Sequence, residues 1–282
     1  MMRHSAFYFS SLLGLLLWTA PANAADPIAP AGLPANGGPL EVTAQQSLEW
    51  HETEQMYRAL GQAKVVRGDM TILADDLRAF QRNKPDGKKE IFKFSAQTNV
   101  QINSKAQQIF GDAAVYDTDQ HLAVLTGKNL RFVSPNETVT ARDALEYWPD
   151  KQQAIARGHA VATRADRRVE ADILTAQFRT DKKGNLELQK LIAEGHVIIT
   201  TKTDIARGDK AVYDMSQNGA HLTGKVMITR GASQLAGSAA EVNFTTGISR
   251  MTAGDKNGRV RALFVPDANQ GSMAIGLPQK KP

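Results

Sequence analysis

Six aspartates are the first side chains in this sequence that could do chemistry: Asp75, Asp112, Asp117, Asp172, Asp209 and Asp214. Two carboxylates can share acid and base duties when their surroundings push their pKa values apart. Such a pair is normally built once, from positions unlike the rest of the chain. Here each member has a twin ninety-seven positions on, Asp75 with Asp172, Asp112 with Asp209 and Asp117 with Asp214. Recurrent Asp beside Gly or Ala suits a chain corner, where the carboxylate accepts hydrogen bonds from nearby backbone amides. These aspartates are read as structural.

Other reactive types lead no further. His51, His121, His159, His196 and His221 are scattered without His-x-x-x-His spacing, and there is no cysteine, so no zinc-type ligand set is expected. Thr126-Gly127-Lys128 and Thr223-Gly224-Lys225 resemble the end of a phosphate loop. Asn129 and Val226, however, stand where the metal-binding Ser or Thr belongs. No Gly-x-Ser-x-Gly elbow occurs. The expectation is a protein without catalysis, metal or cofactor. The net charge of +5 is spread with alternating signs and forms no polybasic stripe, which argues against a nucleic-acid partner.

The elements that position these residues come from a repeat. Residues 42–132 align without a gap on 139–229. Val42-Thr43-Ala44 returns as Val139-Thr140-Ala141, Gly111-Asp112 as Gly208-Asp209, and Leu125-Thr126-Gly127-Lys128 as Leu222-Thr223-Gly224-Lys225. Within each copy, corner-like residues recur at Ala44, Ala74-Asp75, Gly111-Asp112, Ala141, Ala171-Asp172, Gly208-Asp209 and Gly237, dividing 42–250 into short units. Polar insertions at 83–88 and 180–185 read as turns projecting from the array. Val100-Gln101-Ile102, Ile91 to Phe94 and Val161-Ala162-Thr163 alternate like strands. Gly158 argues against a helix over 154–168. Strands in tandem without crossover helices predict an elongated all-β array.

The apolar members of this alternation are the candidate site. Val65, Phe94, Val100, Ile102, Leu130 and Phe132, with Leu191, Val197 and Ile199 from the second copy, would line one face. They either fill a core or border a trough for acyl chains; burial and ligand contact leave the same pattern.

At the N-terminus, Arg3, the run Leu12, Leu13, Leu15, Leu16, Leu17, Trp18, and Ala22-Asn23-Ala24 have the form of a cleavable signal peptide over 1–24. The Ala/Pro/Gly-rich stretch to residue 40 is expected to be a flexible linker, 41–266 the repeat domain and 267–282 a flexible tail.

In order and spacing, these units resemble the repeat of the OstA/LptA family of lipopolysaccharide-transport proteins. The likeness rests on Thr43-Ala44-Gln45-Gln46-Ser47-Leu48-Glu49, Ile72-Leu73-Ala74-Asp75-Asp76-Leu77, Gly208-Asp209 to Tyr213, and the two Leu-Thr-Gly segments. Gly258 to Pro266 is similar to the family's closing strand. The chain departs from a minimal member by its duplication. The resemblance implies a twisted β-jellyroll whose two sheets open like a V around an apolar interior. It also implies a periplasmic location, binding of lipopolysaccharide through lipid A, and end-to-end contact with the jellyroll domains of inner- and outer-membrane transport components. Head-to-tail self-association through Val42–Leu48 and Arg259–Val265 is a further expectation. The competing reading is a structural or protein-interaction β-array without a lipid. A polysaccharide-cleaving β-helix is disfavoured, because no set of acidic residues stands out as breaking the repeat symmetry on one exposed face.

Overall fold

The computed structural model describes residues 40–265, apart from positions 105, 183–185, 244, 247 and 254–257. The expected signal segment, the tail and all but the last residue of the linker lie outside the described residues. The described chain forms strands and no helix. In chain order the first copy holds β1 (Glu41–Thr43), β2 (Ser47–His51), β3 (Met56–Arg67), β4 (Met70–Asn83), β5 (Lys89–Ser104), β6 (Gln107–Asp117), β7 (Leu122–Thr126) and β8 (Leu130–Val133). The second begins with β9 (Thr138–Ala141), β10 (Ala144–Trp148), β11 (Gln153–Arg164), β12 (Arg167–Thr180) and β13 (Leu186–Thr200). It continues with β14 (Asp204–Asp214), β15 (Gly219–Arg230), β16 (Ser233–Asn243), β17 (Ile248–Thr252) and β18 (Arg261–Leu263).

Each long strand pairs antiparallel with the next, and each is bent at its middle. Between β3 and β4, Leu60 faces Asp76 and Ala63 faces Ala74, so Gly61 and Gln62 oppose Asp75 alone. Gly158-His159 oppose Asp172 between β11 and β12 in the same way, and Gly195-His196 oppose Asp209 between β13 and β14. Two residues against one is a β-bulge, which turns the strand and sharpens its twist. Elsewhere the bend separates a leg into two short strands. β6 thus pairs with β7 on one side of the corner and with β8 on the other.

Stacked corners divide the ladder into two walls. One wall runs from β2 through the first half of β3 to β7, β10 and β17. The other runs from β1 through the second half of β3 to β8, β9 and β18. Period-2 alternation then points one set of side chains from each wall into the space between. Near the corner the walls converge and small residues fit: the twins Ala63 and Ala160 are fully buried. Two apolar clusters, one per copy, fill this region, and Val139 and Leu145 pack against both.

The aspartates are structural, with two kinds of partner. Asp75 and Asp172 at the bends pair with the side chains of Asn99 (2.7 Å) and His196 (2.8 Å). Asp112 at a bend, and Asp117 and Asp214 at the turns that follow β6 and β14, accept from backbone amides. Lys128 N donates to Asp112 Oδ2 at 2.7 Å. Asp117 Oδ1 accepts from the backbone N–H groups of Asp119 and Gln120, and Asp214 Oδ1 from those of Ser216 and Gln217. His159 and His196 occupy the second bulge position with φ of 45° and 49° and project to solvent. They are spine residues. Of the described part of the Gly258–Pro266 segment, Arg261–Leu263 is strand, paired through Ala262 to Leu235 of β16, a shorter closing strand than expected.

Candidate functional site

The space between the walls is widest in the first copy. There a trough of about 400 Å³ lies between β2 to β7 of one wall and β1 to β5 of the other. Val42, Val65, Ile72 and Ile102 project from one side, and Leu48, Tyr57, Leu77, Ile91, Phe94 and Tyr116 from the other. Its size falls within the roughly 300–1,000 Å³ of small-molecule sites. Burying an apolar chain against such walls contributes about 25 cal/mol per Å². Polar groups cover the outer face of this wall, where Asp76 holds Arg58 and Arg78 at 2.8 and 2.6 Å.

At the start of the second copy the space narrows to about 70 Å³. Ile109, Phe132 and Val139 meet Leu125, Leu145, Tyr147, Leu174 and Leu191 there. Glu137 also borders it, and burial pushes its carboxyl above the ordinary range, opposed by the charge of Arg164. Burial likewise raises the Tyr147 and Tyr213 hydroxyls. Further along, Arg230 Nε donates to Asp204 Oδ1 at 2.6 Å and its Nη2 to Oδ2 at 2.8 Å, a two-pronged pair whose carboxylate is almost fully buried.

Several twin positions differ in kind between the copies. Leu40, on the trough, corresponds to Glu137; Met70 to Arg167; Gln107 to Asp204; and Gln81 to Phe178, whose ring is buried. The second copy thus carries a ring and charged groups where the first has smaller or uncharged side chains. Along the trough lining it is instead the smaller, with Ala154 for Tyr57, Ala162 for Val65 and Leu191 for Phe94.

The expected site residues divide into three groups. Val65, Phe94 and Ile102 line the wide trough. Phe132 and Leu191 line the constriction. Val100, Leu130, Val197 and Ile199 are core: the first three rank among the largest fully buried side chains, and Ile199 packs in the second apolar cluster. Sequence reasoning missed Leu48, Tyr57, Leu77, Ile91 and Tyr116. Their signal was the same alternation, carried on the wall opposite Val65 and Ile102. No group of His, Asp or Glu among the described residues could hold a metal ion.

Comparison with known proteins also finds two copies. The sequence matches the family described as LptA/(LptD N-terminal domain) LPS transport protein twice, over residues 41–147 and 138–248. No curated protein matches it. Among solved structures, the chain is similar to LptH, the LptA homologous periplasmic component of the lipopolysaccharide transport device from Pseudomonas aeruginosa. Identity is 18%, the TM-score is 0.39, and the match covers 46% of this chain and 95% of that one.

Proposed function

The chain belongs to the LptA/LptD N-terminal domain family of lipopolysaccharide-transport proteins, and from that membership we propose that it is a periplasmic carrier that holds acyl chains of lipopolysaccharide between its walls and performs no catalysis. The supporting observation is the trough of about 400 Å³, walled by Val65, Phe94, Ile102 and their neighbours. Acyl chains leave water on entering it, and transfer along the array exchanges one apolar lining for the next. Val100, Leu130, Val197 and Ile199 belong to the support of these walls, and Phe132 and Leu191 to the neck beyond the trough.

Partners follow from the ends of the ladder. β1 and β2 at one end, and β17 and β18 at the other, are unpaired on their outer sides among the described residues, and such edges recruit another strand. Leu48, Ile248 and Leu263 stand exposed on them. A jellyroll domain of an inner- or outer-membrane transport component, or a second copy of this chain, would extend the walls from either end. The narrow space at the start of the second copy favours a subsidiary reading for that half alone, a spacer that carries the edge outward.

Native mass spectrometry of the protein purified from periplasm tests the carrier reading. Lipopolysaccharide or lipid A is expected to co-purify. A ligand-free protein that also fails to take up lipid A from micelles would overturn it.

A further inference from the structure

Gln81 lies on the inward face of β4, two residues beyond Ala79 and cross-strand from Ile91, both of which line the wide trough. It is only 7% exposed. Its backbone N–H is satisfied by Gln55 O at 2.9 Å. The side-chain Nε2 is buried and meets no acceptor among the described residues. Gln81 itself stands one row beyond the residues that line the trough. Nearly all buried polar side chains find a partner, so an orphaned amide at that level marks a place where something else supplies one. The twin position in the second copy holds Phe178, which packs its ring and leaves nothing to satisfy. The amide therefore belongs to the open copy and not to the fold common to both.

We infer that Gln81 recognises the carbonyl that joins an acyl chain to its headgroup, so that the first copy selects ester- or amide-linked acyl lipids over bare alkyl chains. The inference rests on the carrier reading and refines it. Gln81 stands near the outer end of its wall, close to the turn that joins β4 to β5, whereas Ala59, Leu77 and Ala96 lie deeper toward the corner. A chain seated with its tail among Leu77, Phe94 and Ile102 would bring its linkage up to this level. An amide can rotate to donate Nε2–H to a carbonyl oxygen, the one polar group common to esters and amides. Phosphate and sugar beyond the linkage would remain at the mouth. The same chemistry is offered by lipid A and by a diacyl phospholipid.

The test compares the parent chain with Gln81→Met, which keeps the volume and removes the amide, and with Gln81→Phe, which copies the twin. Binding is measured by fluorescent-probe displacement with four ligands: lipid A, phosphatidylethanolamine, a dodecanoyl sugar ester and dodecyl maltoside, whose ether link has no carbonyl. Gln81→Met is expected to weaken the carbonyl-linked ligands about three- to tenfold and leave dodecyl maltoside unchanged. Gln81→Phe should weaken all four, because the ring would crowd the outer end of the trough. The ratio of lipid A to phosphatidylethanolamine affinities identifies which acyl lipid the site prefers. Equal weakening of ester and ether by Gln81→Met, or no weakening of either, would overturn the assignment. A folded parent that binds none of the four removes the carrier reading, and the Gln81 inference with it.

Discussion

The Asp209 carboxylate lies against Gly224, in the space that a Cβ on Gly224 would need. Gly224 has φ of +79°, and the same contact recurs between Asp172 and Gly195, where φ is +78°. Bulge glycine and corner aspartate thus interlock on neighbouring strands.

Adding a methyl here should carry two costs. Gly224→Ala must adopt a left-handed conformation, at roughly 1–2 kcal/mol, and must also displace Asp209. Gly231 has φ of +54° with nothing near its virtual Cβ, so Gly231→Ala should lose only the conformational part. Urea denaturation of both variants is expected to show the larger loss for Gly224→Ala. Equal losses would remove the interlock.

The converse change should stabilise. Ala165 sits in the two-residue loop between β11 and β12 with φ of 53°, where its twin is Gly68. Ala165→Gly relieves a strained backbone and is expected to raise stability by roughly 1 kcal/mol. An unchanged or lower melting temperature would contradict it.

Acid should weaken the outer face of the trough wall. Burial raises the pKa of Asp76, but hydrogen bonds from Arg58 and Arg78, with their charges, more than offset this and hold it at about 2. A carboxylate depressed from 3.8 contributes stability that is fully present above about pH 4 and lost as pH falls through about 2. Asp76→Asn should therefore cost on the order of 2 kcal/mol at pH 7, with the gap to the parent closing between pH 4 and 2. A gap independent of pH would point to packing and not to charge.

Lining and core should separate under two readouts. Photo-crosslinkers at Phe94 and Ile102 are expected to capture lipopolysaccharide in cells, with weaker capture at Phe132 in the narrow neck and none at Lys88 or Lys182 on the turns. Leu130→Ala should instead destabilise by about 2–5 kcal/mol, as a cavity at a fully buried site, while Phe94→Ala should cost binding more than stability. Equal labelling at all five probe positions would dissolve the distinction.

Much of the architecture was legible because the chain states it twice. The recurrence of Gly111-Asp112 at Gly208-Asp209 located the corners, and local chemistry is enough to bend a strand where Asp can bond a neighbouring amide. Alternation around Val100 and Ile102 fixed which side chains face inward, since the pleat leaves no other choice. Alternation does not say how far apart two facing walls stand. Val100, Leu130 and Val197 share the pattern of Val65, Phe94 and Ile102, yet the first three sit beside the corner, where converging walls bury them, and the others sit where the walls have separated. That separation depends on contacts between residues distant in sequence. The same holds for Gln81 and Phe178, which occupy one place in the repeat. The sequence by itself determined that both point inward; only the packed walls decided that one is core and the other a buried amide without a partner among the described residues.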